Sequence, residues 1–551
     1  MLQTSHLWSM LSDSRTRRNS YNVRSGDDSE KMLKLLDEIF SYYHTNDEDD
    51  GECSHTKQRT LLALAVACRA FQDHAIAALW RRLVGFRRPI LCFLRNAVKL
   101  SIPLVTKDKW DKLGWKLCQS LSREEWHRFE KYASHIRELT LEREDFRGIS
   151  NFMAFLSVKY LPHGLQGHLL PKLRTLIWRG DQATEFPFIH LFAPPSMQSL
   201  TVVFHDEQAD IVSSSLLSTL EYHLLSLTYL EFDESDTSLR TDEYLTTISR
   251  VIESRSCWGL ETFHGDAMDV SALQHLSQLP NLKVLTIHIV RNSSGMALNK
   301  GFSNLKSLQI ISWYIDPIFS LFRAVRMQLE TIQLEFLDGP TFSQAMLQDL
   351  VSLITSQPCH RSLIELNILT AADPDRFNST MDDTIIRQLF VFRHLGYLSI
   401  HAVCTFDLND NNLIELAAAW PGLYGLVLNG YSRWHRIFTI TFKGLASLLR
   451  GCPLLEILDL SIDATQLDFG SLTVPGEGAL NHGVVYFNLG DSIIEDAAAV
   501  ARILADIFGS LGQVGAWRKW EGHREDERLR YQPLWAEVNA ILKSLPEEEN
   551  D

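Results

Sequence analysis

The side chains able to do chemistry are dispersed along this chain rather than gathered. Its eight cysteines stand at 53, 68, 92, 118, 257, 359, 404 and 452, and no two form a CxxC pair. Cys53-Ser54-His55 and Cys359-His360 are the closest approaches to metal-ligand pairs, and each lacks the two further ligands that a tetrahedral site requires. There is no HExxH helix, no phosphate-cradling P-loop and no GxSxG nucleophile elbow. Gly490-Asp491-Ser492 lacks the glycine that would follow, and with Glu495 it has the spacing of a helix cap instead. The 20 histidines and 13 tryptophans are spread through the chain, with Trp80, Trp178, Trp258, Trp420 and Trp535 expected to pack in cores. No catalytic residue, metal or cofactor is expected.

Binding chemistry is better represented. Acids and tyrosines recur between regularly spaced apolar residues: Tyr229, Glu231 and Asp233, then Glu335, then Glu365, then Tyr397, then Asp459. If those segments are strands, alternation puts these side chains on one outward face, with Thr331, Gln333, Asn367, Ser399, His401, Ile457 and Ser461. Arg179 is the clearest cation among them. An acidic, tyrosine-bearing face either favours a basic, arginine-bearing protein segment, through charge steering and cation–π contact, or merely keeps an open surface soluble. The formal charge of −15 argues against nucleic acid as the partner.

The elements that must position this face are legible in a hexapeptide, apolar-x-x-Leu-x-apolar. It begins with Ile136-x-x-Leu139-x-Leu141 and Leu173-x-x-Leu176-x-Trp178, and the last is Leu455-x-x-Leu458-x-Leu460. From 173 to 455, successive starts differ by between 22 residues (260 to 282) and 34 residues (329 to 363), around the leucine-rich-repeat range. The fourth and sixth positions enter a core, and the first turns the chain into the strand. Pro171, Pro280, Pro421 and Pro453 each stand two positions ahead of it, where proline ends a helix and extends the backbone. Helix, loop and strand per unit, stacked, give a solenoid. The expected class is α/β, a leucine-rich-repeat horseshoe over residues 122–490, closed by a helical cap over 491–545 and an acidic tail over 546–551. Each repeat buries its core against its neighbours, so the array is expected to fold from about Ser122 onward without what precedes it.

Ahead of the repeats, residues 1–30 are polar and aperiodic, a disordered tail. Residues 31–84 hold three apolar segments: Met32 to Phe40, Thr60 to Phe71, and Ala75 to Leu83, with an acidic loop over 44–58 and a helical linker over 85–121. The segments Leu35-Leu36-Asp37-Glu38-Ile39-Phe40, Cys68-Arg69-Ala70-Phe71 and Leu79-Trp80-Arg81-Arg82-Leu83 resemble the F-box. Leu33 and Lys34 stand where that family usually has Pro and Glu. Tyr132 to Leu139, Trp420-Pro421-Gly422-Leu423, Asp491 to Asp496 and Ala498 to Phe508 extend the resemblance to fungal F-box proteins with leucine-rich repeats.

That resemblance implies a three-helix F-box joined to a Skp-type adaptor, and through it to a cullin–RING ubiquitin ligase. The adaptor would contact Met32, Leu33, Leu35, Leu36, Ile39, Phe40, Leu61, Leu64 and Trp80, and the repeats would hold a protein substrate on the concave strand face. The alternatives are a leucine-rich-repeat scaffold with a degenerate F-box and no ligase role, and an enzyme with an unrecognised site. The longest apolar run, Leu61 to Cys68, is too short to span a bilayer, and an intracellular protein, cytoplasmic or nuclear, is expected. Replacing Leu36 and Ile39 together by Asp is expected to abolish co-purification with a Skp-type adaptor while leaving the repeats folded. Wild-type binding by the double variant would refute this interface.

Overall fold

The computed structural model describes residues 51–67, 69–85, 98–101, 114–117, 123–142, 168–180, 186–204, 226–234, 249–250, 252–253, 258–266, 270–289, 301–337, 344–370, 380–401, 405–428, 439–467, 483–508, 511, 513–517 and 525–544. Everything below concerns those residues. The chain divides into two compact units, Met1–Tyr244 and Leu245–Asp551.

The first unit opens with helices α1 (Gly51–Ala67) and α2 (Arg69–Arg81), packed on each other. Helix α1 begins inside the stretch that composition assigns to a loop over 44–58. Its buried residues, Leu61 and Ala65, are one turn apart and face Ala75, Ile76 and Ala78 of the same small core. The remaining F-box-like segment, Met32 to Phe40, lies outside the described residues, as do both chain termini.

Helix α2 runs straight into strand β1 (Arg82–Val84), so Leu83 belongs to a strand and not to the third helix the sequence implies. The linker also differs from expectation. It contains an antiparallel ladder between β2 (Val98–Ser101) and β3 (Gly114–Leu117), with Val98 opposite Leu117 and Leu100 opposite Trp115. Val98-Lys99-Leu100-Ser101 alternates with period two, a strand pattern that overrides a helical assignment.

Helix α3 (Arg123–Ala133) follows, then the parallel strands β4 (Glu138–Leu141), β5 (Thr175–Gly180), β6 (Ser199–Phe204) and β7 (Tyr229–Glu234). β1 pairs with β4 in register, Leu83 beside Leu139, and β4, β5, β6 and β7 pair in sequence order. Each hexapeptide stacks on the next: Leu139, Leu176, Leu200 and Leu230 form one fully buried column.

The second unit repeats this arrangement nine times. Strands β8 (Thr262–Asp266), β9 (Val284–Ile289), β10 (Ser307–Ser312), β11 (Thr331–Phe336) and β12 (Glu365–Thr370) lie parallel in that order. A short pair, β13 (Thr380–Met381) and β15 (Thr405–Phe406), flanks β14 (Tyr397–His401). β14 is followed in the main sheet by β16 (Gly425–Leu428), β17 (Ile457–Leu460) and β18 (Tyr486–Asn488). One buried column runs Phe263, Leu285, Leu308, Ile332, Leu366, Leu398, Leu426, Leu458 and Phe487.

Helices α4 (Val270–Gln278), α5 (Asp316–Ala324), α6 (Gln344–Thr355), α7 (Thr384–Leu389), α8 (Asp410–Ala419) and α9 (Phe442–Gly451) return the chain between strands. Three stop two residues before a proline, at Gln278, Ala419 and Gly451, as the Pro280, Pro421 and Pro453 spacing requires. Buried polar groups tie neighbouring repeats together. Gln357 accepts from Met327 N at 3.0 Å and donates to Phe322 O at 2.8 Å. Trp420 Nε1 donates to Phe392 O at 2.9 Å, and Cys452 Sγ to Trp420 O at 3.3 Å. Burial pushes the Cys359 thiol up to about 11 and that of Cys452 to about 12, so both remain neutral packing groups.

The end of the second unit is closed by helices α10 (Ala497–Phe508) and α11 (Glu525–Ser544). Ser492 does not cap α10, contrary to its capping-box spacing; Asp496 does, accepting from Ala499 N at 2.9 Å. Ser492 is fully buried and joins the cap to the last repeats instead. Its Oγ accepts from Ile462 N at 2.7 Å, and its carbonyl accepts the indole N–H of both Trp517 and Trp535, each at 2.9 Å.

β1 changes the folding expectation for the repeats. A chain beginning at Ser122 loses α1, α2 and β1, uncovering the edge of β4 and the face of Tyr132 on which the Trp80 ring packs. Such a truncation is expected to melt below the full chain and to aggregate on heating, whereas one that removes only residues 1–30 keeps the full-length melting temperature. Equal melting of the two truncations in scanning calorimetry would contradict this. Trp535→Ala is expected to lower the unfolding free energy by about 3–5 kcal/mol through the cavity and the lost indole bond, read by denaturant titration.

Candidate functional site

The outward strand positions carry the candidate site. In β11 and β12 burial alternates strictly, so Thr331, Gln333 and Glu335, and Glu365, Asn367 and Leu369, share one partly exposed face. Register places Glu365 beside Tyr397 and Asn367 beside Ser399.

The centre of this face is a tyrosine–glutamate cluster. Tyr424, one residue before β16, donates its hydroxyl to Glu365 Oε1 at 2.6 Å. The Tyr397 and Tyr424 rings lie 5.8 Å apart, centroid to centroid, tilted by 33°. Two glycines make room for them. A Cβ on Gly425 would stand 2.3 Å from Tyr397 Cδ2, and one on Gly396 would stand 2.8 Å from Tyr424 Cε1. Each glycine therefore sits where the other repeat's ring needs space, so the rings are fixed from both sides. Burial, then the bond to Glu365 and nearby negative charge, raise the Tyr424 pKa above its ordinary value, so its hydroxyl keeps its proton at neutral pH. Beside the cluster, Asn367 Oδ1 is buried with no hydrogen-bond partner among the described residues. Burial lowers the His401 pKa, favouring the neutral ring.

Other expected site residues fall differently. Within the first unit, Glu231 is already engaged: Thr201 Oγ1 and Tyr229 OH both donate to its Oε2, each at 2.9 Å. Asp233 occupies the same strand, β7. Arg179 does not stand alone but pairs with Glu142 at 3.0 Å. Glu335 is partly exposed on the face as expected. Asp459 is not on it: it is 3% exposed, and its Oδ2 accepts from Asn488 Nδ2 at 2.9 Å. Ser399, Val427 and Ser461 are buried as well, so simple alternation overstates the open surface from β14 onward.

Of the adaptor-facing residues, only Leu61, Leu64 and Trp80 are described. Leu61 is 2% and Trp80 5% exposed, and the Trp80 ring packs on Tyr132 of α3 at 5.3 Å. These two side chains serve the interior. Leu64 is partly exposed, and Val66, which spacing does not single out, is 57% exposed on α1. Sequence reasoning also missed Tyr424 and its glycine partners. Their signal was Gly396-Tyr397 in one repeat answered by the reverse order, Tyr424-Gly425, at the matching places of the next.

Among the described residues no three His, Cys, Asp or Glu side chains come together as metal ligands. No described helix is long and apolar enough to cross a membrane. Gly425→Ala is expected to turn the Tyr397 ring, change the near-ultraviolet circular dichroism and lower the unfolding free energy by about 1–3 kcal/mol. An unchanged tyrosine signal would refute the fixed geometry.

No family model matches the chain, and no curated protein matches it. Two solved structures are similar to parts of the chain. One is a structural-genomics protein from Bacteroides fragilis, 16% identical, with 48% of this chain and 66% of that one covered at a TM-score of 0.27. The other is the yeast Rad7 and Elc1 complex, 13% identical, with 89% and 93% covered at a TM-score of 0.31.

Proposed function

We propose that this chain is a non-catalytic receptor: its strand face binds a protein substrate, and its N-terminal helical module joins a Skp-type adaptor of a cullin–RING ubiquitin ligase. The observation that carries the receptor half is the Tyr397–Tyr424–Glu365 cluster. Rigid aromatic rings beside a carboxylate form a ready site for an arginine, with the rings taking the guanidinium plane and Glu365 its N–H donors. Little side-chain entropy is left to lose on binding, because Gly396 and Gly425 already confine the rings. The mechanism is proximity. A bound substrate is held near a ubiquitin-charged enzyme, raising the local concentration of its lysines, and the bond-making belongs to other subunits.

The ligase half rests on the F-box resemblance of Cys68 to Phe71 and Leu79 to Leu83, and on the exposure of Val66. A second reading keeps the receptor and drops the ligase. It is favoured by the burial of Leu61 and Trp80, two side chains that the resemblance assigns to the adaptor. Co-purification of the full chain with a Skp-type adaptor separates the two.

Reversing Glu231, Glu335 and Glu365 to Lys is expected to remove most proteins captured by the full chain, as read by mass spectrometry. An unchanged set that stays bound at high salt would overturn the receptor reading.

A further inference from the structure

The strand-entry edge of the first unit carries a second binding chemistry, opposite in sign to the tyrosine–glutamate face. The residue just before each strand donates its backbone N–H to the residue one repeat earlier, forming a continuous ladder. Arg137 N donates to Arg81 O at 2.9 Å, Arg174 N to Arg137 O at 2.7 Å, Gln198 N to Arg174 O at 2.8 Å, and Thr228 N to Gln198 O at 2.8 Å. Residues on this ladder are spaced by one strand, about 4.8 Å. Its first three members are therefore arginines in consecutive register.

Arg81 and Arg174 are exposed, and Arg137 is partly buried. The Arg137 guanidinium is anchored: Nη1 donates to Ser134 O at 2.8 Å and to Ile136 O at 3.1 Å. Its other donors meet no acceptor among the described residues. Among the described residues no carboxylate forms an ion pair with any of the three. Glu138 pairs with Arg82 at 3.5 Å, and Glu142 with Arg179 at 3.0 Å. Lys172 and Lys131 add to the field, since both, with Arg137, lower the His135 pKa after burial has done so; Asp73 opposes them. Burial, then Arg174 and Arg81, also lower the Arg137 pKa, which shows that the row repels itself.

The same ladder in the second unit is neutralised. Glu261 and Lys283 pair at 2.7 Å, and Lys306 pairs with Glu330. Packing alone thus does not require like charges at these positions.

We propose that the Arg81–Arg137–Arg174 row is a docking site for an acidic polypeptide segment, two or three of whose carboxylates take the guanidinium forks. Carboxylates suit the planar, bidentate donors of arginine. The row is short and gives way to neutral Gln198 and Thr228, a footprint for a few anionic side chains followed by uncharged ones. A nucleic-acid backbone calls for a longer basic track, and the charge of −15 repels it at a distance. This inference does not depend on the ligase reading.

The test uses the full chain and a fluorescein-labelled peptide of alternating Asp, Glu and Gly, followed by anisotropy at low and high salt, with a single-stranded oligonucleotide as a second probe. The peptide is expected to bind at low salt and to be released by salt. In R81E/R174E, which alters only the exposed members, affinity is expected to fall at least about tenfold with the melting temperature unchanged. R174E alone serves if the double variant unfolds, with a smaller loss expected in the same direction. The proposal is overturned if the peptide fails to bind, if the variants bind it as well as the wild type, or if only the oligonucleotide binds in an arginine-dependent way.

Discussion

Everything in this molecule hangs on parallel strands that cannot satisfy themselves. A parallel strand's N–H and C=O groups are met only by another repeat, and its apolar side chains are covered only by the equivalent side chains of its neighbours. The leucine columns within each unit are the expression of that constraint, with members one repeat apart and every one buried. The same constraint dictates where the ends must be closed. In the first unit β1 takes the edge of β4, and in the second the Trp517 and Trp535 indoles converge on one carbonyl, that of Ser492.

Stacking in strict register has a chemical consequence. Because alternation commits half of each strand to the core, the other half forms rows in which like positions face the same way, one strand apart. A row can be tuned one repeat at a time. Glycines at 396 and 425 trade bulk with tyrosines at 424 and 397, and the entry ladder holds arginines in one unit and paired opposite charges in the other. Binding surface is thus a by-product of the fold's economy, set by substitutions that leave the buried column untouched.

The repeats were legible because their signal is redundant. Each hexapeptide names two buried positions, and Pro280, Pro421 and Pro453 mark helix ends that the structure reproduces. What escaped was non-repetitive. β1 has three residues and follows α2 without a break, so no period announces it. The β2–β3 ladder is only four residues long on each strand. Ser492 sits at capping-box spacing but is drawn into the interior by partners 30 residues before it and 25 and 43 after it, distances no local pattern encodes. Of the candidate face, alternation located Glu335, Glu365 and Tyr397. It misplaced Asp459, whose exposure is decided by Asn488 on the next strand, and it could not see Tyr424, which lies just outside one.

On the proposed receptor reading, the outward strand face, and not the helical side, meets the protein partner. Hydroxyl-radical footprinting of the full chain, alone and with a partner that co-purifies with it, tests this directly. Oxidation of Tyr397 and Tyr424 is expected to fall on binding, while that of Ile414 on α8 and of Leu454 after α9, both exposed, stays the same. Protection of Ile414 and Leu454 with Tyr397 and Tyr424 unchanged would contradict it.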